Sequence, residues 1–333
     1  MPIHDEEFLS GADVARRLIA SQRPDLAGLP LQPVGAGTDN TMYRVGSDLL
    51  VRLPRTPGTE AALRKELRWL PRLGPLLSWR VPEPVFVGEP SEEFPATWAL
   101  YRWIEGEPAS LENVADWPAY GGDLASFVTE LHALDLGGAA RSGDLAGYRG
   151  GLLHRHAAAV AKCLEDLRGL TTAVDVDALE RIWEAALTLP PPSTGHVWLH
   201  GDLKPTNVLV QAGRGVAIID FGGLSIGCPD AEHAPMWDLP APARSAYREA
   251  LELDEQTWLR ARAWALMIGA SGVSYYWESY PEFAEDCLRR LQNIENDDSR
   301  APPDLQSSHS PAAAGAGHSA PSMTRTTERN LPC

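Results

Sequence analysis

An acid, a lysine and a carboxamide lie close together in the segment LHGDLKPTNVLV, as Asp202, Lys204 and Asn207. Apolar residues flank this polar set on both sides, which indicates the ends of buried strands rather than an incidental loop. A further acid, Asp220, follows the apolar run VAII. A hairpin between the two runs would bring the side chains of Asn207 and Asp220 close together.

These residue types suit phosphoryl transfer. Mg²⁺ prefers hard oxygen ligands such as an amide oxygen and a carboxylate, and it leaves its other positions to water or phosphate. Asp202, at the far end of the turn, is placed to receive the proton of an attacking hydroxyl. Lys204 adds a positive charge for phosphoryl oxygens, and we expect His200 to brace the loop through its ring nitrogens. Each residue taken alone could equally be a turn former or a cap.

A second constellation precedes this one. In TEAALRKELRWLPRL, Glu66 interrupts a stripe of leucines at helical spacing and must face inward. A buried carboxylate needs a partner, and Arg52 in the strand DLLVRLPR is the natural one. Strand alternation places Leu50 and Arg52 on the same face. The pair could hold nucleotide phosphates through the arginine, or it could be a structural ion pair only.

The elements that must position these residues divide the chain into three parts. Residues 1–104 form a strand-rich unit, whose first helix is predicted to be capped by Ser10 and ended by Pro24. Residues 105–295 are mainly helical. After Ile294 the chain is rich in Ser, Pro, Ala and Gly, which predicts a disordered tail over residues 296–333. Within the second part, helices are predicted over residues 154–168, 176–188, 241–253, 255–277 and 281–294.

Composition limits the classes of partner and the compartment that we expect for the protein. With 29 basic and 45 acidic residues the formal charge is −16, which disfavours nucleic acid and anionic membrane as partners. The four cysteines are widely spaced, without a zinc or disulfide pattern, and the N-terminal segment lacks the apolar core of a signal peptide. We therefore expect a cytoplasmic protein with reduced thiols, as a monomer or homodimer. Residues 263–277 are too short to span a bilayer and predict a buried helix.

The motif His200-Gly-Asp202 with Asn207 and Asp220-Phe-Gly resembles the catalytic loop and metal-binding segment of the aminoglycoside phosphotransferase family. The resemblance covers about residues 30–295. It implies an α+β, bilobal protein-kinase-like fold with a small β-rich N-lobe and a larger, mainly helical C-lobe. It also implies that Asp202 is the catalytic base and that Asn207 and Asp220 hold Mg²⁺. Lys204 departs from the histidine that is more usual in the family.

The same resemblance assigns a nucleotide site for ATP or GTP. It implies that Arg52 and Glu66 hold the α- and β-phosphates. The loop with Gly35 and Gly37 could cover these phosphates, because glycines allow a close backbone approach, or it could be a simple hairpin turn. In addition, four residues are expected around the adenine, two through their backbones and two as a sandwich: Arg102 and Ile104, and Leu50 and Ile219.

The resemblance implies a small-molecule hydroxyl acceptor. The first choice is an aminoglycoside-like cationic antibiotic, which the acidic charge would attract. Carboxylates that could meet substrate ammonium groups are Asp230, Glu232, Asp238 and Glu278. Cys228 and Glu232 stand where the family usually has Asp. A metabolic kinase for an amino alcohol, a sugar or homoserine, a macrolide kinase, and a nucleotide-binding regulator without catalysis remain alternatives.

Overall fold

The computed structural model of the chain describes residues 7–34 and 39–297. The glycine loop with Gly35 and Gly37 lies outside the described residues, and so does the predicted disordered tail apart from Asn296 and Asp297. Those two predictions stay predictions.

The first part of the chain builds a five-stranded antiparallel sheet in the order β1-β2-β3-β5-β4. Val51 and Leu53 face one side, where they pack with Phe94 and Trp98 against the first helix. Leu50 lies on the opposite side, which the second helix covers. The predicted alternation of β3 is therefore present. The strands are β1 (Leu31–Pro33), β2 (Asn40–Val45), β3 (Leu49–Pro54), β4 (Pro84–Gly88) and β5 (Trp98–Arg102).

Two helices accompany this sheet, α1 (Ala12–Gln22) and α2 (Pro57–Leu73). The predicted cap of α1 is wrong, because Gly11 occupies the N-cap position and the Ser10 hydroxyl bonds the Thr41 hydroxyl at 2.7 Å instead. The N-terminus of α2 begins with a reciprocal cap between Thr56 and Thr59, which satisfies backbone groups that a helix start leaves open.

The second part is mainly helical, which confirms the predicted α+β class; the division at residue 104 remains a prediction. Helix α7 lies at its centre with most of its residues buried, as the run 263–277 predicted. Among the described helices, none combines the length and apolar character that crossing a membrane requires. The helices are α3 (Trp117–Ala133), α4 (Ala157–Leu170), α5 (Val176–Leu187), α6 (Ala241–Ala250), α7 (Glu255–Tyr276) and α8 (Pro281–Glu295).

Short strands interrupt these helices and carry the polar motif. Strand β6 (Glu107–Pro108) pairs with β8 (Val208–Gln211), which forms a hairpin with β9 (Arg214–Ile218). Two further strands, β7 (Val197–Leu199) and β10 (Ser225–Gly227), pair with each other. In the sequence, β7 precedes the hairpin and β10 follows it. Asn207 immediately precedes β8 and Asp220 follows β9, as the sequence predicted.

Candidate active site

The hairpin brings Asn207 and Asp220 to the same end of β8 and β9. Val208 pairs with Ile218, and the Ile219 amide donates to the Asn207 carbonyl at 2.9 Å. The Asn207 amide nitrogen donates to the backbone carbonyl of Asp202 at 2.8 Å and to its carboxylate at 3.1 Å. Within the described part of the chain, this leaves Asn207 Oδ1 without a protein donor. Its oxygen is therefore available to a ligand in the cleft that Asn207 and Asp220 both line.

Asp220 adopts an uncommon backbone conformation. Its φ of 63° and ψ of 68° lie in the left-handed region, which residues other than glycine visit rarely and often at functional sites. The next residue, Phe221, is fully buried, and its amide donates to the Glu66 carboxylate at 3.0 Å. These contacts hold the turn, while the Asp220 side chain stays 37% exposed. The turn thus presents a carboxylate to the cleft.

The predicted ion pair of Arg52 and Glu66 is present. Arg52 Nη1 donates to Glu66 Oε1 at 2.7 Å, and the Glu66 side chain is fully buried. Arg52 also lies 3.5 Å from Asp220 Oδ1. Burial disfavours the charge of Arg52, but Glu66, Tyr101 and Asp220 together hold its pKa above the ordinary value. Glu66 therefore joins β3, α2 and the turn at Phe221, and Arg52 reaches the cleft lining.

Asp202 lies between two cations. Lys204 Nζ is 3.2 Å from Asp202 Oδ2, and Arg149 Nη1 donates to Oδ1 at 2.9 Å. Burial would raise the pKa of Asp202, but the charges of Lys204 and then Arg149 hold it well below its usual range. Asp202 is not part of the cleft lining itself, although its side chain is 27% exposed and it contacts Lys204 and Asn207, which do line the cleft.

Sequence reasoning missed Arg149. It comes from the loop before α4, where no periodicity or motif marks it, and it also bonds the Gly201 carbonyl and the Tyr148 hydroxyl. Gly201 has a φ of +80°, and a Cβ there would lie 2.4 Å from the Gly223 carbonyl oxygen. A side chain therefore does not fit at residue 201, and Arg149 bonds both the Gly201 carbonyl and the Asp202 carboxylate. No signal in the sequence could have identified this contact.

His200 braces the turn as predicted. Its Nδ1 accepts the Asp202 amide at 3.2 Å, so the protonated Nε2 donates to the Ile219 carbonyl at 3.1 Å. Burial lowers the pKa of His200, which favours the neutral ring that these two bonds require. The histidine therefore connects the start of the turn that carries Asp202 to Ile219, the residue after β9.

The structure gives three of the four expected substrate carboxylates other surroundings. Glu232 is buried and accepts the amides of His200 and Gly201 at 2.5 and 3.2 Å; burial raises its pKa to about 7. Asp230 is buried in an ion pair with Arg260. Glu278 is exposed in the turn after α7 and is not part of the cleft lining. We therefore assign Asp230 and Glu232 a structural role instead.

Asp238 is the expected substrate carboxylate that does reach the cleft. It accepts two bonds from Arg290, each 2.6 Å long, in a bidentate pair. The cleft measures about 750 Å³ and lies between the sheet and the helical part. The four residues expected around adenine all line it, namely Leu50, Arg102, Ile104 and Ile219.

A sheet and a helical part have a cleft between them, and Asn207 and Asp220 at the ends of one hairpin line it beside Asp202. This arrangement is that of a kinase-like phosphotransferase. A family model described as "Phosphotransferase enzyme family" matches residues 30–264. The chain therefore belongs to this family. A search of the curated proteins finds no significant match.

Solved structures share the fold at low sequence identity. The GDP complex of wild-type aminoglycoside 2'-phosphotransferase-IIIa is 18% identical with a TM-score of 0.69, over 86% of this chain and 99% of that one. Macrolide 2'-phosphotransferase MphH from Brachybacterium faecium is 22% identical with a TM-score of 0.55, over 89% and 100%. The streptomycin–ATP complex of APH(2")-IIa is 16% identical with a TM-score of 0.54, over 79% and 90%. At such identities the likeness concerns the fold alone.

Proposed function

We propose that the protein transfers the γ-phosphate of ATP or GTP to a hydroxyl of a small molecule. The observation that carries this proposal is the hydrogen bond from Asn207 to the Asp202 carboxylate, with Asp220 at the same end of the hairpin. This arrangement supports a proton acceptor next to two oxygen ligands that line the cleft. The nucleotides named with the similar structures, GDP and ATP, support a nucleotide as donor.

Asp202 is the proposed catalytic base. The acceptor oxygen attacks the γ-phosphorus and the bond from this phosphorus to the β,γ-bridging oxygen breaks. The nucleoside diphosphate leaves with the electron pair of the broken bond. The hydroxyl proton passes to the Asp202 carboxylate. Because Lys204 and Arg149 keep the pKa of Asp202 low, it is a weak base, and its main contributions are to orient the hydroxyl and take its proton late.

Asn207 Oδ1 and the Asp220 carboxylate are the proposed ligands of Mg²⁺. Both are hard oxygens, which is the donor type this ion prefers. The described residues include no cluster of three or more His, Cys, Asp or Glu that could hold a metal ion, so phosphate oxygens and water would complete the coordination. When bound, the ion neutralises charge on the phosphates. The bond from Phe221 to Glu66 holds the turn that presents the Asp220 carboxylate to the cleft.

The proposed nucleotide site uses the other side of the cleft. Arg52 supplies a guanidinium for phosphate oxygens, while Leu50 and Ile219 offer apolar surface to the two faces of a purine. The Arg102 amide already donates to the Glu83 carbonyl at 2.9 Å. The Ile104 amide has no acceptor among the described residues. Because Ile104 lines the cleft, this amide could donate to the edge of the purine.

An acceptor screen tests this proposal. The protein is incubated with Mg²⁺ and either ATP or GTP, and with aminoglycosides, macrolides, amino alcohols, sugars and homoserine. Mass spectrometry then looks for an added phosphate. We expect one class to gain a phosphate at a hydroxyl. If nucleotide binds with Mg²⁺ but no acceptor gains phosphate, the chain is a nucleotide-binding regulator and the proposal is wrong.

A further inference from the structure

The start of α8 forms the wall of the cleft that faces the catalytic turn. Phe283, Cys287 and Arg290 follow the spacing of one helical face, and all three line the cleft together with Tyr280. Lys204 Nζ lies 5.6 Å from the centre of the Phe283 ring and 3.2 Å from Asp202. A molecule that packs on Phe283 is therefore beside the residue proposed to take the hydroxyl proton.

Three carboxylates around this wall already have cationic partners. Asp238 is bound by both nitrogens of the Arg290 fork, and Arg289 pairs with Asp286 on the same helix. Asp202 has Lys204 and Arg149. An ammonium group arriving here would have to displace a guanidinium or the lysine. A carboxylate on the acceptor would meet arginines that are likewise paired, Arg290 with Asp238 and Arg289 with Asp286, and a lysine that already contacts Asp202.

The wall also offers an aromatic surface. The half-buried Phe283 ring meets Tyr276 edge-on with 5.0 Å between ring centres, and it lies nearly parallel to Tyr280 at 6.1 Å. Tyr276 and Tyr280 thus fix the orientation of Phe283. Fixed aromatic rings favour apolar faces, such as the carbon faces of sugar rings or other aromatic rings.

We propose that the acceptor is an uncharged, hydroxyl-bearing molecule with an apolar or aromatic face that packs on Phe283. This inference rests on the proposed phosphotransfer and specifies its substrate class. It replaces the aminoglycoside-like cationic acceptor favoured by the net charge of the chain, because the charges that line the acceptor wall are paired among themselves.

Matched probes test the charge requirement. Phenyl β-D-glucoside, phenyl β-D-glucosaminide and phenyl β-D-glucuronide share one ring system and differ in carrying no charge, an ammonium or a carboxylate. Methyl β-D-glucoside lacks the aromatic face, and kanamycin is a polycation. Each is offered to the full chain with MgATP, and phosphate transfer is followed by mass spectrometry. We expect kcat/KM to be highest for phenyl β-D-glucoside, by about tenfold over the methyl and both charged glycosides.

Variants test the role of the ring. Phe283→Ala is expected to raise the KM for phenyl β-D-glucoside about tenfold while the Kd of MgATP stays within about twofold, and Phe283→Tyr should keep the wild-type KM. Leu111→Ala is the control, because Leu111 is a 76% exposed apolar residue outside the cleft lining. An unchanged KM in Phe283→Ala would overturn the proposed contact.

Other outcomes separate this inference from the function on which it rests. Preferred phosphorylation of kanamycin, the glucosaminide or the glucuronide would overturn the uncharged acceptor and leave the phosphotransfer intact. If neither these probes nor any acceptor of the wider screen gains phosphate while MgATP still binds, the result would count against the phosphotransfer itself.

Discussion

Asp202 receives contacts from three side chains, and each fixes a different aspect of it. Asn207, just before β8, donates to its carboxylate. Lys204 contacts Oδ2 and Arg149 contacts Oδ1, and both positive charges favour the anionic carboxylate. The order of polar residues in LHGDLKPTN predicted Asp202, Lys204 and Asn207, because they lie in one turn. Arg149 could not be predicted, because its contact with Asp202 depends on how a distant loop folds over Gly201.

Removing Arg149 tests its part in positioning Asp202. We expect Arg149→Ala to lower kcat about 10- to 100-fold, because a base displaced by even 1 Å loses much of its effect. The Kd of MgATP should stay near wild type, and Arg149→Lys should recover part of kcat. Arg155→Ala is the control, since Arg155 is an exposed arginine of the same region. Equal losses in Arg149→Ala and Arg155→Ala would contradict the positioning role.

At the scale of elements, helical periodicity was the most informative signal. The prediction over residues 281–294 corresponds to α8 at Pro281–Glu295, and that over 176–188 to α5 at Val176–Leu187. Tertiary contacts decided what periodicity cannot show. Ser10 bonds Thr41 on β2 and therefore does not cap α1. Glu232 accepts the backbone amide of His200 and so supports the turn that carries Asp202.

The packing of α3 and α6 predicts a loss of stability in acid. The ring of the buried His233 contacts the half-buried ring of His132 on α3, and His233 Nδ1 bonds the Tyr247 hydroxyl on α6 at 2.8 Å. Burial lowers their pKa values to about 4 and about 3. The unfolded chain therefore binds more protons than the folded one below pH 6.5, so the free energy of unfolding falls as the pH drops from 6.5 toward 4.

Urea unfolding at several pH values measures this effect. In His132→Phe one of the two histidines is gone, so the free energy of unfolding should decline less between pH 6.5 and 4, by about 2–3 kcal/mol. The comparison with wild type matters because Glu232, with its raised pKa of about 7, contributes the opposite slope between its ordinary pKa and pH 7. Identical pH dependence in the two proteins would contradict the assignment to His132.

At the scale of the whole molecule, the buried apolar residues that the structure describes form three clusters. One lies between the sheet and α1, a small one lies between the sheet and α2, and the largest holds the helical part together. The net charge of −16 is a property of the whole sequence, whereas the cleft wall formed by α8 pairs acids with bases. Composition averages over all residues, whereas the local pairing of Asp238 with Arg290 depends on the packing of α8.

Nucleotide that binds between the two parts should stabilise the whole molecule. At 100 times its Kd, MgATP is expected to raise the free energy of unfolding by about 2.7 kcal/mol, which a thermal shift detects. Removal of Mg²⁺ with EDTA should reduce the shift in wild type. In Asp220→Asn the shift should depend little on Mg²⁺, because a ligand of the ion is lost. A full Mg²⁺-dependent shift in Asp220→Asn would contradict the assignment of Asp220.

The proposed phosphotransfer depends most on Asp202 as the group that receives the hydroxyl proton, and Asp202→Asn tests this role most directly. The substitution keeps the shape of the side chain and removes its charge. The measurement is phosphate transfer by mass spectrometry, with the Kd of MgATP determined on the same preparation. We predict that turnover falls at least about 100-fold while the Kd of MgATP stays within about threefold. Turnover near wild type, or a comparable loss of both, would contradict the account.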